Sequence, residues 1–398
     1  MRRDRGERLH EALGKLGRAD VDLVTLIAEA SDLIDAVVPF DRTCWHTVDP
    51  GSVLFTGTVN RDVGCSGSWL AEHEYVIEDV NKWWFLARSG RRAGATSIAT
   101  HGDLSRSARH RSHAAYGIGD ELRVSAVEDG NYWGAIGLLR NADQAWFTKE
   151  DVDLFVSLSP VLATAFRRAI VAATKHRVEL APVADGPGVI VFDGAGNVES
   201  ISPAAERWIE DLREDPKPAT PAASATVQIV AARARTLHAG DDPLQLVARA
   251  RVQTTSGDWL VIYGTPLSSP AGGDRVAVII QPATPNEVAP LVALAYGLTP
   301  RETEVTRLCM QGRSTKEIAT RLYLSTYTVQ DHLKSVFDKT GVRSRNELVG
   351  QIFLEHYITR WEPVSDAPPE WQVLADPAKS INTHAEANQP PDVSARSI

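Results

Sequence analysis

The stretch LTPRETEVTRLCMQGRSTKEIATRLYLSTYTVQDHLKSVFDKTGVRSRNEL, residues 298–348, carries the strongest structural signals in this 398-residue chain. Thr299, Ser314 and Ser344 are each followed three residues later by glutamate, a pairing typical of a helix start. Glycines in QGRS and KTGV supply the left-handed residue that commonly ends a helix. LSTYTV contains a further N-cap residue, Ser325. Together, these start and stop signals predict four short helices in succession.

The second and third of these helices are predicted to form a helix-turn-helix, with Tyr323-Leu324 as the turn. In that arrangement one helix crosses the DNA backbone and the next lies in the major groove. Ser325 caps the third helix. Apolar residues at helical spacing define its inward side: Val329, Leu333, Val336 and Phe337. The outward positions near its N-terminus are Tyr327, Gln330, Asp331 and Lys334.

Over about residues 298–353 the chain resembles the LuxR/FixJ-type helix-turn-helix. The matching pieces are LTPRE, the glycine of QGRSTKEIA, the TV followed by H in STYTVQDHL, and KTGVRSR. The resemblance implies a sequence-specific DNA-binding transcriptional regulator whose base-facing residues are Gln330, Asp331 and Lys334. Glutamine matches adenine, lysine matches guanine, and aspartate can accept from the cytosine amine.

Other polar residues are expected to hold phosphates and set the register on DNA. They are Lys316, Thr326, Thr328, Arg343 and Arg345. Thr328 has the alternative role of completing the N-cap, and His332 is expected to pack rather than to read a base. Asp331 lowers affinity near phosphates unless it pairs with a base or with Lys334.

The fourth helix, residues 345–357, resembles the segment through which such domains dimerise, which implies a homodimer on two half-sites of double-stranded promoter DNA. Leu348 and Ile352 are the expected dimerisation contacts. The alternative is that both residues pack only within the monomer. A transcriptional regulator also contacts RNA polymerase, so the resemblance implies RNA polymerase as a further partner of this chain.

Charge is distributed unevenly along the chain, whose formal net charge is −9. Residues 298–361 contain ten Lys/Arg against seven Asp/Glu, whereas both the preceding part and residues 362–398 are net acidic. A basic module on an acidic body indicates that one segment meets phosphates, and it argues against a protein that coats nucleic acid.

Cysteine usage and targeting signals indicate a cytoplasmic protein. Cys44, Cys65 and Cys309 are far apart and form neither a disulfide framework nor a zinc-binding spacing. No secretory signal follows the basic N-terminus, and no run of about 18 apolar residues predicts a membrane span.

An α+β domain is predicted over residues 1–180. Its expected elements are a helix over about 7–38, strands at Thr43–Val48, Val53–Gly57, Leu122–Glu128 and Tyr132–Arg140, and a helix at Phe147–Val171. A linker at 181–187 precedes a second α+β unit, residues 187–285. Its expected elements are strands at Val189–Phe192, Val198–Ile201, Arg249–Thr255, Trp259–Thr265 and Arg275–Gln281, a helix from Ser202 to Leu212, and a loop at 214–224. The DNA-binding domain takes residues 294–361, and the acidic tail 362–398 is expected to be disordered.

Two weaker resemblances suggest what the upstream domains do. Segments such as AVVPFDRTCWHTVDPGS and FTKEDVDLFVSLSP resemble GAF-type sensor domains, and VIVFDGAGNVESISPAAERWI resembles a PAS-like domain. The expected architecture is therefore multidomain: an α+β GAF-like sensor, an α+β PAS-like domain and an all-α helix-turn-helix. A receiver domain and an ATP-binding loop are disfavoured because their acidic and G-x-x-x-x-G-K-[ST] motifs are missing.

The effector and any cofactor are left open by the sequence. Trp69, Tyr75, Asp79 and Trp83 suggest an acyl-homoserine-lactone pocket, but their spacing departs from that pattern, and core packing is the commoner use of such aromatics. His101, His110 and His113 alternate with arginines, so no metal site is expected. No catalytic motif is apparent, and the alternative to a regulator is a GAF-containing sensor enzyme with an accessory helix-turn-helix.

Overall fold

The computed structural model describes residues 2–19, 21–64, 66–175, 186–212, 224–238, 247–254, 257–268 and 274–349. The chain divides into two units, Met1–His356 and Tyr357–Ile398. The second unit, which contains the predicted tail, lies outside the described residues, as do most of the linker at 181–187 and the loop at 214–224.

The helices and strands follow one another in a mixed order. The helices are α1 (Arg2–Leu16), α2 (Leu23–Asp35), α3 (Gly67–Ala71), α4 (Trp83–Arg88), α5 (Thr96–Ala99), α6 (Ala108–His113), α7 (Lys149–Lys175), α8 (Pro203–Asp211), α9 (Ala225–His238), α10 (Pro285–Ala295), α11 (Pro300–Met310), α12 (Thr315–Leu322) and α13 (Thr326–Thr340). The strands are β1 (Arg42–Asp49), β2 (Leu54–Arg61), β3 (Ala93–Ala95), β4 (Ile118–Glu128), β5 (Asn131–Asn141), β6 (Gly188–Phe192), β7 (Val198–Ile201), β8 (Arg249–Gln253), β9 (Trp259–Leu267) and β10 (Arg275–Pro282).

The prediction of one helix over 7–38 is wrong, because the chain breaks between α1 and α2. Gly17 ends the first helix where a Cβ would lie 3.0 Å from the Cβ of Ala165 on α7. The carboxylate of Asp22 then accepts from the backbone N of Thr25 and caps α2. Apolar periodicity continues across the break, which is why the two helices resemble one in the sequence.

An antiparallel sheet in the order β2-β1-β5-β4-β3 organises the first domain. The predicted turn between β4 and β5 is confirmed: Asp129 and Gly130 both have positive φ angles between the paired residues Glu128 and Asn131. Helix α7 packs on this sheet, α1 and α2 pack on α7, and the apolar residues of all three helices share one core with the sheet. The predicted start of α7 is also confirmed, since Thr148 and Asp151 cap each other reciprocally.

Helix α7 is long and strongly apolar. Its segment Lys149–Ala172 is long and apolar enough to cross a membrane by length and composition alone. Phe155, Leu158 and Phe166 are nevertheless buried against the first sheet, as in the core helix of a globular domain, which passes the same test.

The second sheet repeats the strand order of the first, as β7-β6-β10-β9-β8. Its predicted strands and the helix capped by Ser202 are confirmed. Helix α9 was not predicted, because apolar and alanine residues occupy nearly all its sides and leave no amphipathic pattern. Val227, Val230 and Ala234 are fully buried in a core that includes residues of both sheets.

The two α+β regions therefore share one apolar core rather than meeting only through a linker. A buried ion pair also joins them, with Arg251 Nε 2.9 Å from the carboxylate of Asp49. A separate small core holds α11, α12 and α13 together, and Ala293 and Tyr296 at the end of α10 pack against it.

Candidate nucleic-acid interface

The helix boundaries of the C-terminal segment follow from its caps. The side chain of Thr299 accepts from the backbone N of Glu302, and that of Ser314 accepts from the backbone N of Glu317. The two glutamates accept in return from the cap residues at 2.7 Å. Both predicted capping boxes are confirmed. Each contributes about 1 kcal/mol to helix stability.

A third predicted box, at Ser344, forms in a different way. The hydroxyl of Ser344 accepts from the backbone N of Glu347 at 3.1 Å, as expected. The carboxylate of Glu347, however, accepts from the backbone N of Arg343 rather than of Ser344, at 2.7 Å. Residues 345–349 are helical, and the rest of the predicted fourth helix lies outside the described residues.

Helix α13 has one apolar side and one polar side. Its N-cap is Ser325, and its C-cap is Gly341 in the left-handed conformation, both as predicted. Val329, Leu333 and Val336 are buried in the small core. The opposite side faces solvent, so α13 presents polar residues on an exposed surface while α11 and α12 hold its apolar side.

Glu302 fixes how α13 lies against α11. Its carboxylate is buried and accepts from Lys339 Nζ at 2.6 Å and from Ser335 Oγ at 2.7 Å. Burial acts to raise the pKa of Glu302, but the hydrogen bonds from Lys339, Ser335 and Thr299 lower that pKa to about 2. The carboxylate of Glu302 therefore caps the start of α11 and also holds the last turns of α13.

The three predicted base-facing residues lie together on the exposed side of α13. Gln330, Asp331 and Lys334 are all exposed. Asp331 forms no ion pair with Lys334 or with any other residue that the structure describes. His332 is half-buried, in agreement with the expectation that it packs.

The predicted phosphate contacts fall into two groups. Lys316, Thr326 and Arg343 are exposed and free to meet a ligand. Thr328 is half-buried, and its hydroxyl lies 2.9 Å from that of Ser325, which is the capping role left open by the sequence. Arg345 is also half-buried, and its guanidinium donates to the carbonyl oxygens of two other residues, Cys309 at 3.2 Å and Arg313.

The predicted dimerisation residues are placed less favourably for contact with a partner. Leu348 is fully buried in the core of its own domain, which is the alternative that the sequence left open. Ile352 lies outside the described residues. Dimerisation through this segment therefore stays a prediction.

Helix α10, which leads into the DNA-binding segment, is not among the helices predicted from the sequence. The signal was present, since Thr284 and Glu287 form the same capping box as the helices that follow. At the start of α10, Arg251 donates to the carbonyl oxygen of Glu287 at 3.1 Å. At its end, Arg167 of α7 donates to the carbonyl oxygen of Ala295 at 2.8 Å.

The polar groups expected of a lactone pocket in the first domain bind other protein groups. The contacts are Trp69 Nε1 to Ser112 at 2.8 Å, the Tyr75 hydroxyl with Phe55 N at 3.1 Å, Asp79 with Arg109 at 3.1 Å, and Trp83 Nε1 to Ile136 O at 3.1 Å. Because the protein itself satisfies these groups, the structure gives no support to that pocket.

A buried ionic network joins two residues of β4, Glu121 and Arg123, to Glu74, Asp79 and Arg109. Arg123 pairs with Glu74 and Glu121, both at 2.8 Å, and Arg109 pairs with Glu121 at 2.7 Å and with Asp79 at 3.1 Å. Burial acts to raise the pKa of Glu121, but the two arginines hold it well below its usual value. Each of these charged groups therefore has a partner of opposite charge within the protein.

Beside this network a cavity of about 270 Å³ opens near the ring of Trp69. Trp69 is stacked between His73 and His113, with centroid distances of 4.2 and 4.3 Å. Burial lowers the pKa of His113 to about 4, so its ring is neutral at pH 7. Within the described ranges, no group of three His, Cys, Asp or Glu side chains is arranged to hold a metal ion.

Comparison with known proteins places the C-terminal segment in a family. Residues 297–351 match the bacterial regulatory proteins of the luxR family. The spore germination protein GerE of Bacillus subtilis is 42% identical over 55 residues, which are 14% of this chain and 74% of that protein. A putative HTH-type transcriptional regulator of Mycobacterium tuberculosis is 50% identical over 54 residues, which are 14% of this chain and only 6% of that protein.

Comparison with solved structures gives a weaker likeness. The Vibrio cholerae VqmA dimer is 17% identical, and the likeness covers 43% of this chain and 82% of that chain with a TM-score of 0.18. The likeness to GerE differs in its sequence identity, which is 42% over 74% of that protein. Through its C-terminal domain, this chain belongs to the luxR family of bacterial regulatory proteins.

Proposed function

We propose that this protein is a sequence-specific transcriptional regulator that binds promoter DNA through α13 and responds to a signal received upstream. The observation that carries the proposal is the two-sided character of α13. Its capped N-terminus and its polar stripe of Gln330, Asp331 and Lys334 are exposed, while its apolar side is fixed in a core. That is the requirement for a helix that enters a major groove without unfolding its domain.

Within this proposal the exposed stripe of α13 reads base edges, and Lys316, Thr326 and Arg343 hold phosphates. Thr328 and Arg345 act mainly through the fold, since their polar groups already cap helices of the domain. Phosphate contacts make binding weaken steeply as the salt concentration rises.

The upstream regions are proposed to be sensors, a GAF-like domain over residues 1–180 and a PAS-like domain over residues 187–285. Two sheets with the same strand order and a shared core support a common input unit. The cavity beside Trp69 supports a small-molecule effector, and a protein partner is the alternative input.

Helix α10 is the proposed connection between input and output. Arg251 binds its first turn, Arg167 binds its last carbonyl, and Ala293 and Tyr296 pack on the DNA-binding core. An effector that favours one arrangement of the upstream core would thereby favour one position of α10, a shift between existing states.

The protein is further proposed to act in the cytoplasm as a homodimer on DNA, in contact with RNA polymerase. These proposals rest on the DNA-binding assignment. Relatives matched over the C-terminal domain include two that are named as transcriptional regulators, one of them putative, which favours a regulator over an enzyme.

The test is a selection of duplexes by the full chain from a randomised library, followed by binding measurements on the selected duplex. Lys334→Ala is expected to weaken binding to that duplex by about 1–3 kcal/mol and to relax the preference at one base pair. Lys149→Ala, which removes an exposed lysine at the start of α7, is the matched control and should bind like the wild type.

Failure of the wild-type chain to enrich any duplex would contradict the proposed function as a whole. If a duplex is enriched but Lys334→Ala binds it unchanged, only the assignment of Lys334 is lost.

A further inference from the structure

Tyr323 has a backbone conformation that disfavours residues with a side chain. It lies at the turn between α12 and α13 with φ 56° and ψ 43°, in the left-handed region. Glycine occupies the same region at Gly312 and Gly341, the ends of α11 and α13. A tyrosine is strained there because its Cβ approaches the following carbonyl oxygen.

The backbone of Tyr323 is held by the end of α12, where its N–H donates to the carbonyl oxygens of Ala319 and Thr320 and the next N–H, of Leu324, donates to Ala319 at 2.9 Å. The side chain takes no part in these hydrogen bonds. The side chain of Tyr323 is 96% exposed. It forms no hydrogen bond, ion pair or ring contact with any residue that the structure describes. The fold therefore needs the backbone turn but not the tyrosine side chain, which is strained relative to glycine and stays available to a ligand.

A second exposed tyrosine lies on the other side of the N-cap Ser325. Tyr327, in the first turn of α13, is 71% exposed. It precedes Gln330 and Asp331 by three and four residues, so all three lie on the same side of the helix. Of the described residues from 297 to 349, only Tyr323 and Tyr327 expose a large apolar side chain.

The N-terminus of a recognition helix enters the major groove, and phosphates border the groove on both sides. A tyrosine hydroxyl can donate to a phosphate oxygen, and an aromatic ring can pack against the methyl group of thymine. The turn residue lies outside the helix and the other residue lies on its base-facing side. These positions assign the phosphate to Tyr323 and the base edge to Tyr327.

We propose that Tyr323 and Tyr327 are DNA contacts of this protein: Tyr323 binds a backbone phosphate through its hydroxyl, and Tyr327 reads a thymine methyl group. The inference rests on the proposed DNA-binding function and adds two residues that determine affinity and specificity. It also explains why a tyrosine stands where glycine or asparagine fits the backbone better.

Tyr323 is tested in the full chain with the duplex that the wild type selects. Tyr323→Asn suits the left-handed backbone, so its unfolding midpoint should equal or exceed that of the wild type, while its affinity for the duplex falls about tenfold. Tyr323→Phe keeps the ring and should lose a similar factor. Phe85→Asn, at an exposed aromatic residue of the first domain, is the control and should leave the affinity unchanged.

Either of two results overturns the role of Tyr323. Unchanged affinity in Tyr323→Asn excludes a contact, and a fall in both affinity and unfolding midpoint shows that the residue acts through the fold.

Tyr327 is tested with chemically altered DNA. Deoxyuracil is substituted for each thymine of the selected duplex in turn, which removes a single methyl group. At one position the wild type should bind about fourfold more weakly, the value of one buried methyl, while Tyr327→Ala should show no such difference. If no substitution affects the wild type, or if Tyr327→Ala is affected equally, Tyr327 does not read thymine.

The outcomes separate this inference from the function on which it rests. A wild-type chain that selects no duplex overturns both. A wild-type chain that selects a duplex, with tyrosine variants that bind it unchanged, overturns the inference alone.

Discussion

Glu302 shows how much one residue contributes to the position of the proposed recognition helix. Its side chain begins α11 and at the same time pairs with Lys339 and Ser335 on α13. A buried carboxylate is stable only when its charge is compensated, and here three hydrogen bonds do so. The side chain is therefore both a helix cap and the link between two helices.

Replacing Glu302 with glutamine should destabilise the C-terminal domain by about 3 kcal/mol, because the folded carboxyl has a pKa of about 2 instead of about 4.5. A lowered pKa stabilises the fold above about pH 4.5, and this contribution is lost as the pH falls towards 2. The difference in unfolding free energy between wild type and Glu302→Gln should therefore shrink over that interval in denaturant titrations. Glu304→Gln, at a half-exposed carboxylate of the same helix, is the control and should change stability by less than about 0.5 kcal/mol.

A difference that stays constant from pH 7 to pH 2 would show that the charge of Glu302 is not the stabilising feature.

At the scale of single residues the sequence identified exposure better than hydrogen bonding. Helical phase placed Gln330, Asp331 and Lys334 on the exposed side, because burial of Val329 and its companions fixes the opposite side. It did not show that the guanidinium of Arg345 reaches the end of α11. That contact joins residues 36 positions apart and depends on how helices pack, which no local pattern records.

At the scale of elements, capping residues predicted the helices of the C-terminal segment. Apolar patterns predicted a helix only where that helix has one polar side. Helices α11, α12 and α13 start and end where their caps indicate. Helix α9 has buried residues around most of its circumference, so its sequence lacks the period of an amphipathic helix. Its position is decided by the two sheets that enclose it.

The close fit of α9 leads to a prediction about Gly264 on β9. A Cβ at this position would lie 2.8 Å from the carbonyl oxygen of Val230 and 3.0 Å from the Cβ of Ala234, both on α9. Gly264→Ala should therefore push the strand and helix apart and destabilise the protein by about 1–3 kcal/mol. Gly64→Ala, where a Cβ meets nothing within 4 Å, serves as the control in the same thermal unfolding experiment. Equal midpoints for the two variants would show that α9 does not pack closely on β9.

At the scale of the whole molecule, the upstream regions and the DNA-binding domain meet at α10. The sequence suggested separate domains joined by linkers, because turn and loop signals separate them along the chain. The structure joins the first two regions in one core and attaches α10 to both of them through Arg251 and Arg167. Contacts of this kind join residues far apart in the chain, and they are what a signal passing from core to DNA would use.

The contact between Arg167 and the end of α10 is the part of this connection that a single substitution can remove. Arg167 also pairs with Glu128 at 3.1 Å. This ion pair holds the guanidinium in the position from which it donates to the carbonyl oxygen of Ala295. Arg167→Ala should leave the last turn of α10 without this partner, and amide hydrogens of residues 293–298 should exchange about tenfold faster. Arg168→Ala is the matched control, because the neighbouring side chain is exposed. Exchange should stay unchanged in α12, whose core lies within the DNA-binding domain. If Arg167→Ala exchanges like the control at residues 293–298, α7 does not hold α10, and a signal from the upstream core would have to reach the DNA-binding domain by another route.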